Sequence, residues 1–227
     1  MKRALHATAL ALAALLLPAL ASAQSTGRLY DPMPPDDSAY LRIVQVGAGK
    51  PVDVLVDGKV RVRQLASRSP SAYLVIPAGK HAIQLQGGGA KGPKVDLVAE
   101  GKSAYTIAFP SAAAGAKGLV FTDRTSTNRL KAMLAVYHLA PAAGAVNVTT
   151  ADGKTKVFGD LKPGTPAILE VNPIKVNLAV TSSAKTKAAS SLDMKQGSAY
   201  SIFLFPSNGT GMSPLTIENQ RERYTGK

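Results

Sequence analysis

His81 and His138 are the first residues to weigh, because imidazole is the side chain that ordinarily exchanges a proton near neutral pH. A third histidine, His6, sits in an N-terminal apolar stretch. His81 and His138 lie far apart in the chain, each within or beside a strand-like run. Nucleophilic catalysis needs a Ser or Cys beside a base that is itself oriented. There is no cysteine and no Gly-x-Ser-x-Gly elbow. Gly159-Asp160-Leu161 lacks the serine of the Gly-Asp-Ser-Leu block that opens many secreted esterases. The chain is therefore expected to hold no catalytic residue.

Metal and phosphate chemistry fare no better. Metal sites need clustered His, Cys or carboxylates, and no such cluster or Asp-x-Asp-x-Asp loop occurs. Gly101-Lys102-Ser103 and Gly153-Lys154-Thr155 imitate the end of a phosphate-binding loop. The glycine required five positions earlier is replaced by Asp96 and Val148. Turn chemistry at strand connections accounts for both triplets, and no metal or cofactor is expected. Sugar-binding sandwiches usually offer aromatic platforms, but the chain has no tryptophan. Tyr40, Tyr105 and Tyr200 fall at strand positions.

Charge points outward. From Gln24 onward there are 25 Lys and Arg against 14 Asp and Glu, a net charge of +11. So basic a surface favours anionic company: an acidic polysaccharide, lipid headgroups or an acidic protein. Arg61, Arg63 and Arg68 are candidates for an electrostatic hold on a polyanion. A solvated, edge-protecting strand face is the plainer reading of the same arginines.

The start of the chain reads as an export signal. Lys2 and Arg3 precede the apolar run Ala9 to Leu20, and Ala21-Ser22-Ala23 is a small-x-small cleavage pattern. The expected cut falls between Ala23 and Gln24, which makes nucleic acid an improbable partner and the periplasm the expected compartment. Residues 24–37 include Tyr30-Asp31-Pro32-Met33-Pro34-Pro35-Asp36-Asp37, proline-dense and acidic, and should be extended. Tyr30 and Pro32 are candidates for contact with a partner.

The elements that would position all of this repeat. Gly101-Lys-Ser-Ala-Tyr105-Thr-Ile107-Ala-Phe-Pro110 matches Gly197-Ser-Ala-Tyr200-Ser-Ile202-Phe-Leu-Phe-Pro206, with the tyrosines 95 residues apart. The same offset joins Asp57-Gly58-Lys59 to Asp152-Gly153-Lys154, and Ile83 and Leu85 to Leu178 and Val180. Alternation is strand-like. Val52, Val54 and Val56 share a face, as do Tyr105, Ile107 and Phe109, and Tyr200, Ile202 and Leu204. Asp57-Gly58 supplies the favoured residues of a two-residue hairpin. No sustained helical period follows the signal. The expected fold is all-β: two tandem β-sandwich domains, Ig-like or jelly-roll-like, over residues 38–122 and 130–218. A polar linker joins them, and residues 219–227 form a polar, frayed tail.

Leu29-Tyr30-Asp31-Pro32, Ser38 to Ile43, Val52-Asp53-Val54 and Asp57-Gly58 together resemble the start of mature AlgF-type proteins of alginate O-acetylation. Ala151 to Thr155 and, more specifically, Val171-Asn172-Pro173-Ile174-Lys175-Val176-Asn177-Leu178-Ala179 resemble that family's C-terminal half. The resemblance implies a non-enzymatic, periplasmic adaptor required for O-acetylation of an exopolysaccharide, alginate or similar. Its implied partners are a membrane O-acyltransferase and periplasmic acetyltransferases. The family brings no catalytic residues to carry over. A generic secreted β-sandwich of the cell-surface or adhesion type is the other reading.

Overall fold

A computed structural model describes residues 32–185 and 187–225. The signal segment, the Ala23–Gln24 junction and Tyr30 lie outside the described residues. From Pro32 onward the chain forms one compact unit.

The first half contains nine strands: β1 (Ala39–Gln45), β2 (Val52–Val56), β3 (Lys59–Leu65), β4 (Ser69–Pro70), β5 (Leu74–Ile76), β6 (Gly79–Gly87), β7 (Ala90–Ala99), β8 (Ala104–Phe109) and β9 (Leu119–Asp123). The second has eight: β10 (Ala132–His138), β11 (Val146–Thr150), β12 (Lys156–Leu161), β13 (Pro166–Val171), β14 (Lys175–Ser182), β15 (Lys187–Asp193), β16 (Ala199–Pro206) and β17 (Met212–Glu218). Among the described residues the one short helical turn is Pro141–Ala143. Each half is a sandwich of two sheets. In the first, β4-β1-β8-β9, with β5 also on β1, faces β3-β2-β6-β7. In the second, β13-β10-β16-β17 faces β12-β11-β14-β15.

Local chemistry explains the regular parts. The three valines of β2 are buried while Asp53 and Leu55 are half-exposed, so one face packs inward. Asp57 and Gly58, with φ of 51° and 77°, make the turn into β3. Both sit in the left-handed region that a tight hairpin of this twist demands. Tyr105, Ile107 and Phe109 enter the first core, and Tyr200, Ile202 and Leu204 enter the second. The two tyrosines repeat a hydrogen bond as well: Tyr105 OH accepts from Glu100 N and Tyr200 OH from Lys195 N, each at 3.1 Å.

Other features depart from the alternating pattern. β1 pairs parallel with β8, and β10 parallel with β16. The connections between these partners carry whole antiparallel hairpins in place of the crossover helix of an α/β unit. These four central strands are also buried on both faces. Their second faces form a third apolar cluster in which Val44, Val46, Ala108 and Phe121 meet Ala135, Tyr137, Leu139, Phe203 and Phe205. The Tyr137 ring stacks on Phe203 at 4.9 Å and meets Phe121 edge-on at 5.6 Å.

A charged side chain lies within this seam. Arg42 on β1 is 1% exposed. Its Nη1 donates to Ser201 Oγ at 3.0 Å and Asn219 Oδ1 at 2.8 Å. Its Nη2 donates to Tyr137 OH at 2.9 Å and Thr106 Oγ1 at 3.0 Å, and Nε to the same Thr106 Oγ1 at 3.1 Å. The guanidinium lies 4.4 Å from the Tyr73 ring centroid and 4.9 Å from that of Phe203. Asp123, the counter-charge, accepts from Thr106 at 2.6 Å, Tyr73 at 2.8 Å and Tyr137 at 2.6 Å. Arg42 and Asp123 thus share hydroxyl partners without a direct ion pair. Burial keeps the Tyr73 and Tyr137 phenols protonated far above their ordinary range, so both remain donors. Burying one Val, Leu or Phe contributes roughly 1.5–3 kcal/mol. The nine apolar residues of the seam therefore outweigh the several kcal/mol per ion that desolvating this pair costs. The apolar contacts hold the halves together, and the polar node sets how they meet.

Within the described part of the C-terminal segment, Gln220 to Glu222 are paired with the first half. Tyr73 N donates to Gln220 O and Glu222 N to Tyr73 O, both at 2.8 Å, a parallel bridge from the end of the second half to the first. Glu222 Oε1 accepts from Val75 N at 2.6 Å and from Arg61 at 2.5 Å. Polar composition alone does not show where a tail's backbone groups find partners.

Replacing Arg42 with Met leaves the buried Asp123 carboxylate with its three hydroxyl donors but no nearby cation. Urea denaturation should show a loss of about 3–5 kcal/mol. Adding Asp123→Asn should recover more than half of it; no recovery would mean that the Asp123 charge is not what Arg42 offsets.

Candidate functional site

Both histidines are fixed by strand geometry. His81, on β6, has Nδ1 at 2.7 Å from Asp57 Oδ2 and Nε2 at 2.9 Å from the Pro77 carbonyl. Asp57 is held below its ordinary value first by the Ala82 backbone N–H and next by His81. His138, at the end of β10, is fully buried. Its Nε2 donates to the Gly144 carbonyl at 2.6 Å, and Nδ1 accepts from Ala140 N at 3.4 Å. A backbone carbonyl cannot give up a proton, so neither Nε2 activates a hydroxyl nucleophile in this arrangement.

The two Gly-Lys-Ser/Thr triplets are structural turns. Lys102 adopts φ of 65°, and its N donates to Ser38 O at 2.8 Å. A Cβ on Gly101 would lie 3.0 Å from Asp37 O, which leaves this turn pressed against the chain. At the second, Asp152 Oδ1 accepts from Lys154 N at 3.1 Å and from Thr150 Oγ1 at 2.5 Å. A carboxylate already occupies the place a phosphate would take. Among the described residues no three His, Asp or Glu side chains converge as a metal site.

Two clefts remain. One, of about 700 Å³, gathers Pro35 and Asp37 of the proline-rich segment, Lys59 and Arg61 of β3, and the tail from Glu222 to Thr225. Arg61 is thus brought beside the proline-rich segment, but its charge is spent on Glu222 and its Nη2 also reaches Val75 O at 3.2 Å. Arg63, exposed on β3, and Arg68, in the turn after it with φ of 53°, lie outside this cleft. Half-buried Pro32 does not line it either.

The other cleft, of about 490 Å³, opens where the two halves meet. Tyr40, Ala104, Met133 and Ala199, at the ends of the central strands, form its apolar part, and Tyr73 and Asn219 join it to the Arg42 node. Arg124, Arg129 and Lys131 come from the connecting segment, and Arg221 from the tail. Lys131 Nζ donates to Asn172 Oδ1 at 2.6 Å, and the Arg221 guanidinium lies 4.3 Å from the Tyr40 ring centroid. The lining carboxylate, Glu218, accepts from Ser198 at 2.7 Å. Arg124 and Arg129 make no ion pair among the described residues. Reading the chain linearly misses this cluster, because its cations come from a linker and a tail nearly a hundred positions apart. The density of Arg124, Arg129 and Lys131 in the linker is the signal that could have found it.

A family model described as "Alginate O-acetyl transferase AlgF" matches residues 11–200. The chain belongs to this family. The AlgF resemblance carried by the Tyr30-Asp31-Pro32 and Asn172-Pro173-Ile174-Lys175 segments is thereby established, and with it an association with alginate O-acetylation. An "Alginate biosynthesis protein AlgF" from Pseudomonas aeruginosa is 29% identical over 201 residues, 88% of this chain and 87% of that protein. One of the same name from Pseudomonas putida is 28% identical over 198 residues, 87% of this chain and 86% of the relative. Among solved structures, the C-terminal domain of AlgF from P. aeruginosa is 30% identical, with a TM-score of 0.35, covering 40% of this chain and 99% of that domain.

One titration follows from this geometry. Burial holds His138 below its ordinary value of 6.5, against a smaller opposing pull from the Gly144 carbonyl. The folded state therefore prefers the neutral ring, and the unfolded chain binds more protons just below 6.5. The stability this group contributes is full above 6.5 and falls as pH drops toward the lowered folded value. The Asp57 contribution is lost only lower, below the ordinary carboxylate value of 3.8. Urea midpoints measured from about pH 7.5 to pH 5 should decline, and His138→Gln should flatten that decline. An equal slope in the variant would assign the titration elsewhere.

Proposed function

We propose that this chain is a non-catalytic periplasmic adaptor in the O-acetylation of an exopolysaccharide, alginate or a similar polymer. On this reading it bridges a membrane O-acyltransferase and periplasmic acetyltransferases, and its two halves are copies of one ancestral unit. One observation carries the non-catalytic part. Both candidate bases, His81 and His138, direct Nε2 at backbone carbonyls and are held there by their strands. What the described surface offers is recognition chemistry: a cationic cleft, a groove beside the proline-rich segment, and sheet edges such as β3 that can accept a partner strand. Residues 1–23 would deliver the chain to the periplasm and be removed after Ala23.

Purified chain from Gln24 onward should capture an acetyltransferase of the same pathway while leaving an acetyl ester such as p-nitrophenyl acetate unhydrolysed. Deleting residues 30–37 should reduce that capture with the urea midpoint unchanged. Ester turnover that disappears in His81→Gln or His138→Gln would contradict the reading, and undiminished capture would remove the N-terminal segment from it.

A further inference from the structure

We propose that the cleft at the junction of the two halves is a docking site for an acidic peptide segment of a protein partner; this rests on the adaptor reading above. Charge selects the class of ligand. Arg124, Arg129, Lys131 and Arg221 line the cleft against Glu218. A recess walled by one sign of charge concentrates the opposite sign. Arg124 and Arg129 are exposed and without an ion pair among the described residues, so their planar forks can each take a carboxylate through two parallel hydrogen bonds. The balance differs in the other cleft, where Arg61 is already neutralised by Glu222.

The same lining favours a peptide over a polysaccharide. Its two aromatic rings, Tyr40 and Tyr73, are covered by Arg221 at 4.3 Å and Arg42 at 4.4 Å. Each ring thus has a guanidinium on one face, which reduces the platform on which a sugar could stack. Recognition here is by charge and hydrogen bonding, which Asp and Glu side chains supply at each residue. About 490 Å³ accommodates a few residues of extended chain, within the usual range for ligand pockets of roughly 300–1,000 Å³. The floor is rigid, since it consists of central-strand ends tied to the Arg42 node, so little ordering is needed on binding.

The test uses the chain from Gln24 to Lys227 with fluorescein-labelled hexa-aspartate as probe, followed by anisotropy. Hexa-asparagine and a uronate hexasaccharide serve as competitors. Arg124→Gln/Arg129→Gln should weaken the peptide about tenfold or more, and Lys154→Gln/Lys156→Gln, which removes the same charge elsewhere, should leave it nearly unchanged. Binding should also weaken as salt rises. Absence of peptide binding, equal loss in both variants, or displacement at lower concentration by the uronate than by unlabelled peptide would overturn the proposal. A second arm immobilises each form and measures capture of the purified partner acetyltransferase. Capture by the wild type that falls in Arg124→Gln/Arg129→Gln supports the cleft. Equal capture by both retains the adaptor and removes the cleft. No capture by the wild type removes both.

Discussion

The structure depends on how one buried cation is satisfied. Arg42 sits between two sheets that belong to different halves, and its donors reach Thr106 on one side and Ser201, Asn219 and Tyr137 on the other. A buried guanidinium left partly unpaired costs several kcal/mol. Sliding or rotating one half against the other would break several of these bonds together. The apolar seam is less demanding, since Phe and Leu contacts tolerate small shifts. Attraction and orientation therefore come from different residues in the same layer.

That division explains which parts of the fold were legible in the sequence. The alternation of Val52, Val54 and Val56, the Asp57-Gly58 turn and the inward set Tyr105, Ile107 and Phe109 are local signals with a period of two. All three are found in the structure where the pattern places them. The opposite face of the same strands was not legible. Thr106 and Ser201 have the chemistry of a solvent-facing position and are fully buried because a second sandwich covers them. Arg42 likewise looks like an exposed strand residue until its partners, remote in sequence, are in place. Parallel pairing of β1 with β8 has no local signature, because its connection is built from hairpins that read the same in either arrangement.

The candidate site divides the same way. Arg61 was identifiable by type, but its neutralisation by Glu222 depends on the tail crossing back to Tyr73. The cations of the junction cleft belong to segments that read as spacer and tail. Only the meeting of the two halves gathers them, so the basic cleft is a product of the seam. On the proposed adaptor function this has a physical consequence. A recognition surface assembled from both halves keeps its shape only while the halves stay locked, and the Arg42 node links that surface to the core.

This seam makes the two halves behave as one cooperative body. Native-state hydrogen exchange in sub-denaturing urea, resolved by peptide mass spectrometry, tests it most directly. The amides of β1 and β8 and those of β10 and β16 should converge on one opening free energy and one urea dependence. Two separate values, with one half opening while the other stays protected, would contradict it.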